Sequence, residues 1–306
     1  LMLQAGDFTG GLAGYEWRKR LDVPVGRRGL KAPCWLGETP LVGRKLFVHA
    51  EQGLGDTLQF CRYLPELVAR GADVTFAVQG SVRALLGYLD GVVTMIDENA
   101  PPPGFDLHCP LLSLPLALGT TLGTIPGPIG YLRSDPARQA PWRDLIPQPI
   151  AARPRIGIAW SGNPDHRNDH NRSIPLADFQ AVLNFEAQWI VIQKDLRATD
   201  AAILADLNRT HHHPEAMRDF GDTAALLDMV DLLITVDTSV AHLAGALGRP
   251  VWLLLPADPD WRWMLDRDDT PWYPNMRLFR QPKRGDWTGA LASVSQALRD
   301  RYGPQA

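Results

Sequence analysis

The chain has 306 residues, of which 45% are hydrophobic and 21% charged, and its formal net charge is −3. This length exceeds what one hydrophobic core usually supports, so we expect two domains. The small net charge argues against nucleic acid or an anionic membrane as a partner. No apolar run reaches the roughly 20 residues that span a bilayer, and no signal-peptide pattern opens the chain. We therefore expect no membrane span.

The three cysteines, Cys34, Cys61 and Cys109, are odd in number and lack paired spacing. This pattern indicates reduced thiols rather than a disulfide framework. Reduced thiols are typical of the cytoplasm, which is the location we expect for this protein.

Residues 1–44 are predicted to form a short helical segment and a linker. The opening run has helical spacing, which Gly10 and Gly11 are expected to break: LMLQAGDFTGGLAGYEWRKRL. A stretch rich in glycine and proline follows, which predicts a linker that wraps a surface: LDVPVGRRGLKAPCWLGETPLVG.

Residues 45–140 alternate between apolar strand patterns and helical patterns. A strand is predicted at KLFVHA, followed by a helix over TLQFCRYLPELVARG that ends at Gly71. Further along come a strand, a helix and a strand, DVTFAVQ, SVRALLGYLD and VVTMID, and then a strand, a turn and a short helix in FDLHCPLLSLPLALG. This order predicts a parallel sheet with helices on both faces.

A second α/β series occupies residues 141–280, after a proline-rich boundary at SDPARQAPWRDLIPQPIAARP. Its predicted elements are the strands RIGIAWSG, QWIVIQK, DLLITVD and RPVWLLLPA and the helices IPLADFQAVLNF, GDTAALLDMV and SVAHLAGALG. Residues 281–306 should form a closing helix. We therefore expect two Rossmann-like, doubly wound domains that face a cleft, with ligands at the carboxyl ends of the strands.

The first loop at such a strand end is HAEQGLGDT, which contains Gln52, Gly53, Gly55 and Asp56. Its glycines allow a tight turn and a close approach of the backbone to a ligand. A dinucleotide fingerprint would need a glycine where Leu58 stands, so we expect no nicotinamide site. Asp56 has two interpretations: it caps the following helix, or it is a cleft carboxylate that takes a proton from a hydroxyl.

The second loop, WSGNPDHRNDHNRS, is long and charged. Arg172 ends it just before a helix begins at Ile174-Pro175, and a guanidinium beside free backbone N–H groups suits a phosphate. The alternative is a solvated surface loop. We assign to the cleft the residues that open this loop and those that end the next strand: Trp160, Ser161, Gly162, Asn163, Gln193 and Lys194.

Two groups of histidines could be interpreted as metal ligands. His166 and His170 lie near Asp165 and Asp169, but their spacing on a flexible loop is nonspecific, so we expect no metal. The run 211–213 (HHH) precedes a proline and is expected to be loop.

The third loop lies in LITVDTSVAHLAGALGRPVWLL, where a strand ends at Asp237, Thr238 and Ser239 and a helix begins. Such a turn directs backbone N–H groups and the helix dipole at an anion. His242 lies one turn further on and is either a packed side chain or part of the same site. The later segment Trp261-Arg262-Trp263 either covers the sheet edge or lines the donor pocket.

These segments resemble glycosyltransferase family nine, which contains the bacterial lipopolysaccharide heptosyltransferases. The segments VDTSVAHLAGALGRPVW, GLGDTLQFCRYLPEL and HNRSIPLADFQ carry the resemblance. It is greatest to the branch found at the C-terminus of tetratricopeptide-repeat proteins, because the opening segment through YEWR resembles the last helices of such a repeat.

The resemblance implies a GT-B fold with no cofactor, in which the C-terminal domain binds a nucleotide-activated sugar and the N-terminal domain binds the acceptor. Asp56 then corresponds to the general base and Arg172 to the basic residue on the donor phosphates, a lysine in the heptosyltransferases. The diphosphate-binding turn corresponds to Asp237, Thr238, Ser239 and His242. Ser239 departs from the family pattern, where glycine is usual, so ADP-heptose is not assumed as the donor.

The expected reaction is an inverting, metal-independent transfer of a sugar to a hydroxyl of a glycan or protein. We also expect a protein partner that binds through upstream repeats. Two alternatives stay open. One is a non-catalytic nucleotide- or peptide-binding scaffold domain of a repeat protein. The other is a protein O-glycosyltransferase, since such enzymes also join these repeats to this fold.

Overall fold

A computed structural model describes residues 1–21, 29–151, 153–207 and 209–303. Residues 22–28 of the predicted linker lie outside the described residues. Within the described part of the chain no helix is long and apolar enough to cross a membrane. All three cysteines are free, as predicted, and burial raises the pKa of Cys61 to about 12.

The first sheet has four parallel strands in the order β3-β2-β1-β4. Its strands are β1 (Lys45–His49), β2 (Asp73–Val78), β3 (Thr94–Asp97) and β4 (Leu107–Pro110). β1 lies inside the sheet and its residues 46–48 are fully buried, as expected for an apolar strand that is covered on both faces.

The α-helices of this half are α1 (Phe8–Tyr15), α2 (Leu54–Phe60), α3 (Leu64–Ala69), α4 (Gly80–Arg83) and α5 (Leu114–Ala117). The single helix predicted from Thr57 is divided into α2 and α3 by a short 3₁₀ turn at Cys61–Tyr63. Pro65 lies in the first turn of α3, where it lacks an N–H to continue the preceding helix. Gly71 follows α3 with a φ of 85°, as expected for a left-handed helix terminus.

The prediction that Gly10 and Gly11 break the first helix is wrong, because α1 runs through both. Residues 1–6 turn back over this helix, and a Cβ on Gly11 would lie 2.7 Å from the Leu3 side chain. Phe8 of α1 stacks on Trp272, with ring centroids 5.9 Å apart. A 3₁₀ helix, Glu16–Arg20, follows and contacts the loop after β1 through an Arg18–Glu51 ion pair.

The second sheet has six parallel strands in the order β10-β9-β8-β5-β6-β7. Its strands are β5 (Arg155–Ala159), β6 (Gln188–Val191), β7 (Thr210–His211), β8 (Leu232–Val236), β9 (Val251–Leu255) and β10 (Met276–Arg280). Counted from β5, this is the doubly wound order 3-2-1-4-5-6. The order reverses between β5 and β8, so the loops after these two strands form the crevice at the switch point.

Two of these strands are absent from the sequence prediction. His211 was expected in a loop but pairs with β6 as part of the two-residue strand β7. β10 lies at the other edge, where the charged Arg277 and Arg280 hide the strand pattern. Edge strands tolerate such charges because one side is not covered by another strand.

The second half contains the helices α6 (Ala140–Leu145), α7 (Asp169–Arg172), α8 (Leu176–Leu183), α9 (Ala198–Asp206), α10 (Phe220–Leu227), α11 (Ser239–Ala246) and α12 (Trp287–Tyr302). The proline-rich boundary segment thus includes a helix, α6, which packs on α10. Trp142 donates a hydrogen bond to the carbonyl of Asp222 at 3.0 Å. α12 is the predicted closing helix and packs beside α8.

Candidate functional site

The N-terminal ends of α2 and α11 meet where the two sheets face each other. A Cβ on Gly55 would lie 2.7 Å from His242 Cδ2 and 3.4 Å from Ser239 Cα, so only glycine permits this approach. α2 follows β1 of the first sheet, and α11 follows β8 of the second. The fold therefore brings the Gly-Asp loop and the Asp-Thr-Ser turn together, although they are far apart in sequence.

Asp56 lies in the first turn of α2, and Gly53 is the N-cap. Its Oδ2 accepts a hydrogen bond from the Gly53 N–H at 2.8 Å. Asp56 therefore caps the N-terminus of its own helix from the third helical position. Its Oδ1 is bonded to Arg262. Burial raises the pKa of Asp56, and the charge of Arg262 offsets part of that rise.

The contact of Arg262 with Asp56 was not predicted from the sequence. The Nε of Arg262 donates to Gln59 Oε1 at 2.7 Å and its Nη1 to Asp260 Oδ1 at 2.8 Å, while Nη2 reaches Asp56. Burial opposes its charge, but Asp260 and Asp56 raise the pKa of Arg262 above its usual range. The only signal in the sequence was an arginine between two tryptophans, close to Asp260, after a strand end.

The turn after β8 offers hydrogen-bond donors. Thr238 is the N-cap of α11, and its Oγ1 is buried without a hydrogen-bond partner among the described residues. The first N–H groups of a helix also lack partners within the helix. An anion placed here would satisfy both, and Ser239 at the first position of α11 is partly exposed beside them.

Arg172 is placed beside this turn. Its Nη1 donates to the backbone carbonyl of Asp237 at 2.9 Å. The approach depends on Gly162, where a Cβ would lie 2.5 Å from Arg172 Nη2. Thus the loops after β5 and β8 meet at the switch point of the second sheet, as the strand order requires.

Burial shifts the pKa values of both Asp237 and His242. Burial and the nearby carboxylate of Asp260 raise the pKa of Asp237 to about 6. Burial and Arg262 hold the pKa of His242 well below its ordinary value, which favours the neutral imidazole. Its Nδ1 is 3.0 Å from the Tyr273 hydroxyl and its ring stacks on Trp263 at 5.3 Å. His242 is therefore a packed residue that borders the turn.

The assignment of Trp160 to the cleft is wrong. Its side chain is fully buried in the core of the second half, and its Nε1 donates to Asp200 Oδ2 at 2.8 Å. The apolar pattern of β5 continues through this residue before the chain turns, so it packs beneath the sheet rather than at its edge. The first polar residue after this strand is therefore Ser161, one position further along the chain.

The other residues assigned to the cleft loops differ in exposure. Gln193 is buried and accepts a hydrogen bond from the Ser161 N–H at 3.1 Å, so this pair holds two loops together. Asn163 and Lys194 are exposed. Gln52 is exposed with a φ of 61°, and its Nε2 donates to the Tyr15 hydroxyl at 3.0 Å.

The polar loop after β5 is held by contacts within the loop and by Arg197, which follows β6. Asp169 accepts a hydrogen bond from Ser173 Oγ at 2.7 Å and is ion-paired with Arg197. His166 Nδ1 accepts from the Asn168 N–H at 3.2 Å. Among the residues that the structure describes, no three histidine, cysteine, aspartate or glutamate side chains are grouped as metal ligands would be.

The chain is similar to one family model and to one curated protein. Residues 194–275 match the family model for glycosyltransferase family 9 (heptosyltransferase). Protein FlbA of Caulobacter vibrioides is 27% identical over 289 residues, which are 87% of this chain and 48% of that protein. The chain thus spans about half the length of this curated relative.

Solved structures share the fold at low identity. A glycosyl transferase family 9 protein from Veillonella parvula is similar with a TM-score of 0.59 and 10% identity, over 86% of this chain and 98% of that one. The ADP-heptose lipopolysaccharide heptosyltransferase II of E. coli is similar with a TM-score of 0.54 and 16% identity, over 84% and 99%.

The fold is therefore the α/β GT-B arrangement of two parallel sheets found in heptosyltransferases. The family model that matches residues 194–275 describes glycosyltransferases, and the solved structures share the fold. The family match ends just before β10 and includes the turn at Asp237, so it covers one side of the site.

Proposed function

We propose that this chain transfers a sugar from a nucleoside diphosphate donor to an acceptor hydroxyl, with inversion at the anomeric carbon. The observation that carries the proposal is the approach of α2 to α11 at Gly55. This approach supports a shared site, in which Asp56 of the first half would act beside proposed anion-binding groups of the second half.

In the proposed donor site, the diphosphate lies at the N-terminus of α11. The Thr238 hydroxyl and the free N–H groups of the first helical turn donate to its oxygens. Arg172, held beside the turn by the Asp237 carbonyl, supplies the positive charge. As the bond to the sugar breaks, charge grows on the leaving diphosphate, and these fixed donors stabilise it. We propose that no metal ion is needed for this step.

Asp56 is proposed to take the proton from the attacking hydroxyl as the general base. Burial raises its pKa, which increases its affinity for a proton. In the structure both of its oxygens are engaged, by the Gly53 N–H and by Arg262. We infer that one lone pair of Oδ1 or Oδ2 accepts the acceptor hydroxyl while these bonds keep the carboxylate oriented.

We also propose which donor the chain uses and where in the cell the reaction takes place. Ser239 adds a side chain where the heptosyltransferases usually carry glycine, so the donor sugar or nucleotide is expected to differ from ADP-heptose. We also propose a cytoplasmic location and a protein partner that binds through tetratricopeptide repeats upstream of this chain. The latter would be tested by whether repeats are encoded upstream of this chain and whether a chain extended through them binds a protein that this chain alone does not.

A thermal-shift panel of ADP-, UDP-, GDP- and CMP-sugars tests the function. We expect one nucleotide class to raise the melting temperature, and the matching sugar to be transferred or slowly hydrolysed in the presence of EDTA. Arg172→Ala should remove the shift, whereas Arg167→Ala, an exposed arginine of the same loop, should keep it. Loss of activity in EDTA with recovery by a divalent ion would contradict the metal-independent step.

A non-catalytic binding domain is the second candidate, and the Asp56–Arg262 ion pair favours it. A carboxylate held by a buried guanidinium is a weaker base than a free one. Under this alternative a nucleotide sugar would stabilise the chain without being turned over on any acceptor. Single-turnover assays with radiolabelled donor at high protein concentration distinguish the two.

A further inference from the structure

The N-terminal segment, residues 1–21, holds the loop between β1 and α2. Tyr15, the last residue of α1, accepts a hydrogen bond at its hydroxyl from Gln52 Nε2 at 3.0 Å. Arg18, in the 3₁₀ helix that follows, is ion-paired with Glu51, the residue before Gln52. Glu51 is only 3% exposed, so this pair is shielded from water. Two consecutive residues of the loop are thus held by one short segment of the chain.

The backbone of Gln52 needs such support. Its φ is 61°, in the left-handed region that favours glycine over residues with a side chain. The next residue, Gly53, is the N-cap of α2 and donates its N–H to Asp56 Oδ2 at 2.8 Å. The direction of this N–H depends on the peptide that follows Gln52, and hence on the conformation of Gln52. The Tyr15 hydroxyl therefore supports, through Gln52, the bond to one oxygen of Asp56.

Tyr15 also contacts the loop that holds the other oxygen of the carboxylate. Its ring packs on Trp261, with the two ring centroids 5.7 Å apart. The Trp261 ring in turn lies 4.8 Å from the guanidinium carbon of Arg262, which bonds to Asp56 Oδ1. Tyr15 thus contacts the residue that precedes each of the two donors to this carboxylate.

From these contacts, we infer that Tyr15 is a positioning residue for Asp56. Its hydroxyl holds Gln52 in the left-handed conformation, and that conformation directs the next N–H of the chain at the Asp56 carboxylate. The inference rests on the proposed function, because the orientation of Asp56 matters to the reaction only if Asp56 is the base. It also makes the N-terminal segment a part of the site. A change in Tyr15 should therefore act on proton transfer and leave the donor-binding turn of α11 intact.

The groups around Asp56 give the expected direction of the effect. Burial raises the pKa of Asp56, and Arg262 and the Gly53 N–H lower it. Asp260 raises it further, and His166 lies close enough for its own pKa to respond to Asp56. Loss of the Gly53 bond removes one contact that stabilises the carboxylate, so the pKa of Asp56 should rise. None of these side chains changes in the variants of the test.

The test is Tyr15→Phe, which removes the hydroxyl and keeps the ring. Carbon-13 NMR of the aspartate carboxyl groups, with the Asp56 signal assigned by its loss in Asp56→Asn, should show an acid dissociation constant of Asp56 that is about threefold lower. In the transfer assay kcat should fall about fivefold, because the carboxylate is less well oriented, with the KM for the nucleotide sugar unchanged. Tyr302→Phe is the matched control, since Tyr302 packs on Phe185 in the core of the second half. It should change neither value.

Substitutions at Gln52 separate this role from a general loss of structure. Glycine adopts the left-handed conformation freely, so Gln52→Gly should make the Gly53 N–H independent of the hydroxyl. In that background Tyr15→Phe should change the dissociation constant of Asp56 and kcat by less than about twofold. Gln52→Ala lacks the amide that reaches Tyr15 and should reproduce the losses of Tyr15→Phe. Losses of equal size in the glycine background, or an unchanged dissociation constant in Tyr15→Phe itself, would overturn the inference.

The NMR titration keeps this inference distinguishable from the proposed function, because it needs no substrate. If no nucleotide sugar is turned over but the titration of Asp56 depends on Tyr15 and Gln52 as expected, the transferase is refuted and the link from Tyr15 to Asp56 stands. If a sugar is transferred while Tyr15→Phe changes neither the dissociation constant of Asp56 nor kcat, the transferase stands and the inference fails.

Discussion

Arg262 donates a hydrogen bond from Nη2 to Asp56, a residue 206 positions earlier in the chain. The same guanidinium contacts Asp260 of its own loop and Gln59 of α2. Its side chain is only 7% exposed, so the pair is shielded from water. This one arginine therefore connects the two halves of the site and sets the electrostatic surroundings of the proposed base.

Removal of the Arg262 side chain should lower the free energy of unfolding. Arg262→Ala leaves the buried Asp56 carboxylate without its cation, and breaking such a pair typically costs about 3–5 kcal/mol of unfolding free energy. Urea unfolding measures this. The matched control is Arg284→Ala, which removes an ion pair to Asp258 that is largely exposed and should change stability little. Equal losses for both variants would show that the Arg262 pair does not stabilise the fold.

Arg262→Lys tests the same contact through activity. Lysine keeps a charge but cannot bond to three partners at once in the fork geometry of arginine. The pKa of Asp56, already raised by burial, should rise further, so the acidic limb of the rate profile should move to higher pH. An unchanged limb would mean that Asp56 does not set it.

Asp56→Asn should abolish transfer while nucleotide binding persists. Loss of a general base typically lowers the rate by about 10²–10⁴-fold, and the proposed donor groups lie on α11 rather than α2. Product formation and nucleotide affinity are measured on the same preparation. A wild-type rate with a verified acceptor would exclude Asp56 as the base.

Arg172→Ala should weaken binding of the nucleotide sugar itself. A hydrogen bond to a charged group contributes about 1.5–3 kcal/mol, which corresponds to roughly a tenfold to hundredfold change in dissociation constant. Isothermal titration calorimetry gives this value directly. Binding that is unaffected would place the phosphates away from the turn between Asp237 and Ser239.

Asp237→Asn should stabilise the chain at neutral pH. The pKa of Asp237 is raised to about 6 in the fold, against an ordinary value of 3.8, so ionisation of this carboxyl opposes folding. The penalty is absent below about pH 4, grows between pH 4 and 6, and is constant above the folded pKa. The gain in melting temperature, about 2–4 °C for each kcal/mol, should therefore be largest at pH 7 and shrink towards pH 4. A constant gain would refute a titrating Asp237.

Gly55→Ala should separate α2 from α11. The added Cβ would lie 2.7 Å from His242 Cδ2, and overpacking of this kind costs about 1–3 kcal/mol. Gly14→Ala in α1 is the control, because nothing lies within 4 Å of its Cβ position and alanine favours a helix by about 1 kcal/mol. We expect lower melting temperature and weaker nucleotide binding for the first variant only. Equal behaviour of both would argue against a close helix contact.

The parallel α/β architecture and the three candidate loops were predictable from the sequence. Apolar runs such as residues 232–236 determine buried strands by their composition, and the strand-helix order requires parallel pairing with loops at one edge. Because ligands collect at that edge, the Gly-Asp loop, the Arg172 loop and the Asp-Thr-Ser turn could be chosen before any contact was known.

Contacts between distant segments were decided only by the tertiary structure. The pairing of Arg262 with Asp56, the burial of Trp160 and the continuity of α1 through Gly10 and Gly11 each depend on what packs against them. Local periodicity reports which face of an element is apolar, but not which other element covers it. The sequence thus determined where chemistry could occur, and the packing of the two sheets decided which side chains meet there.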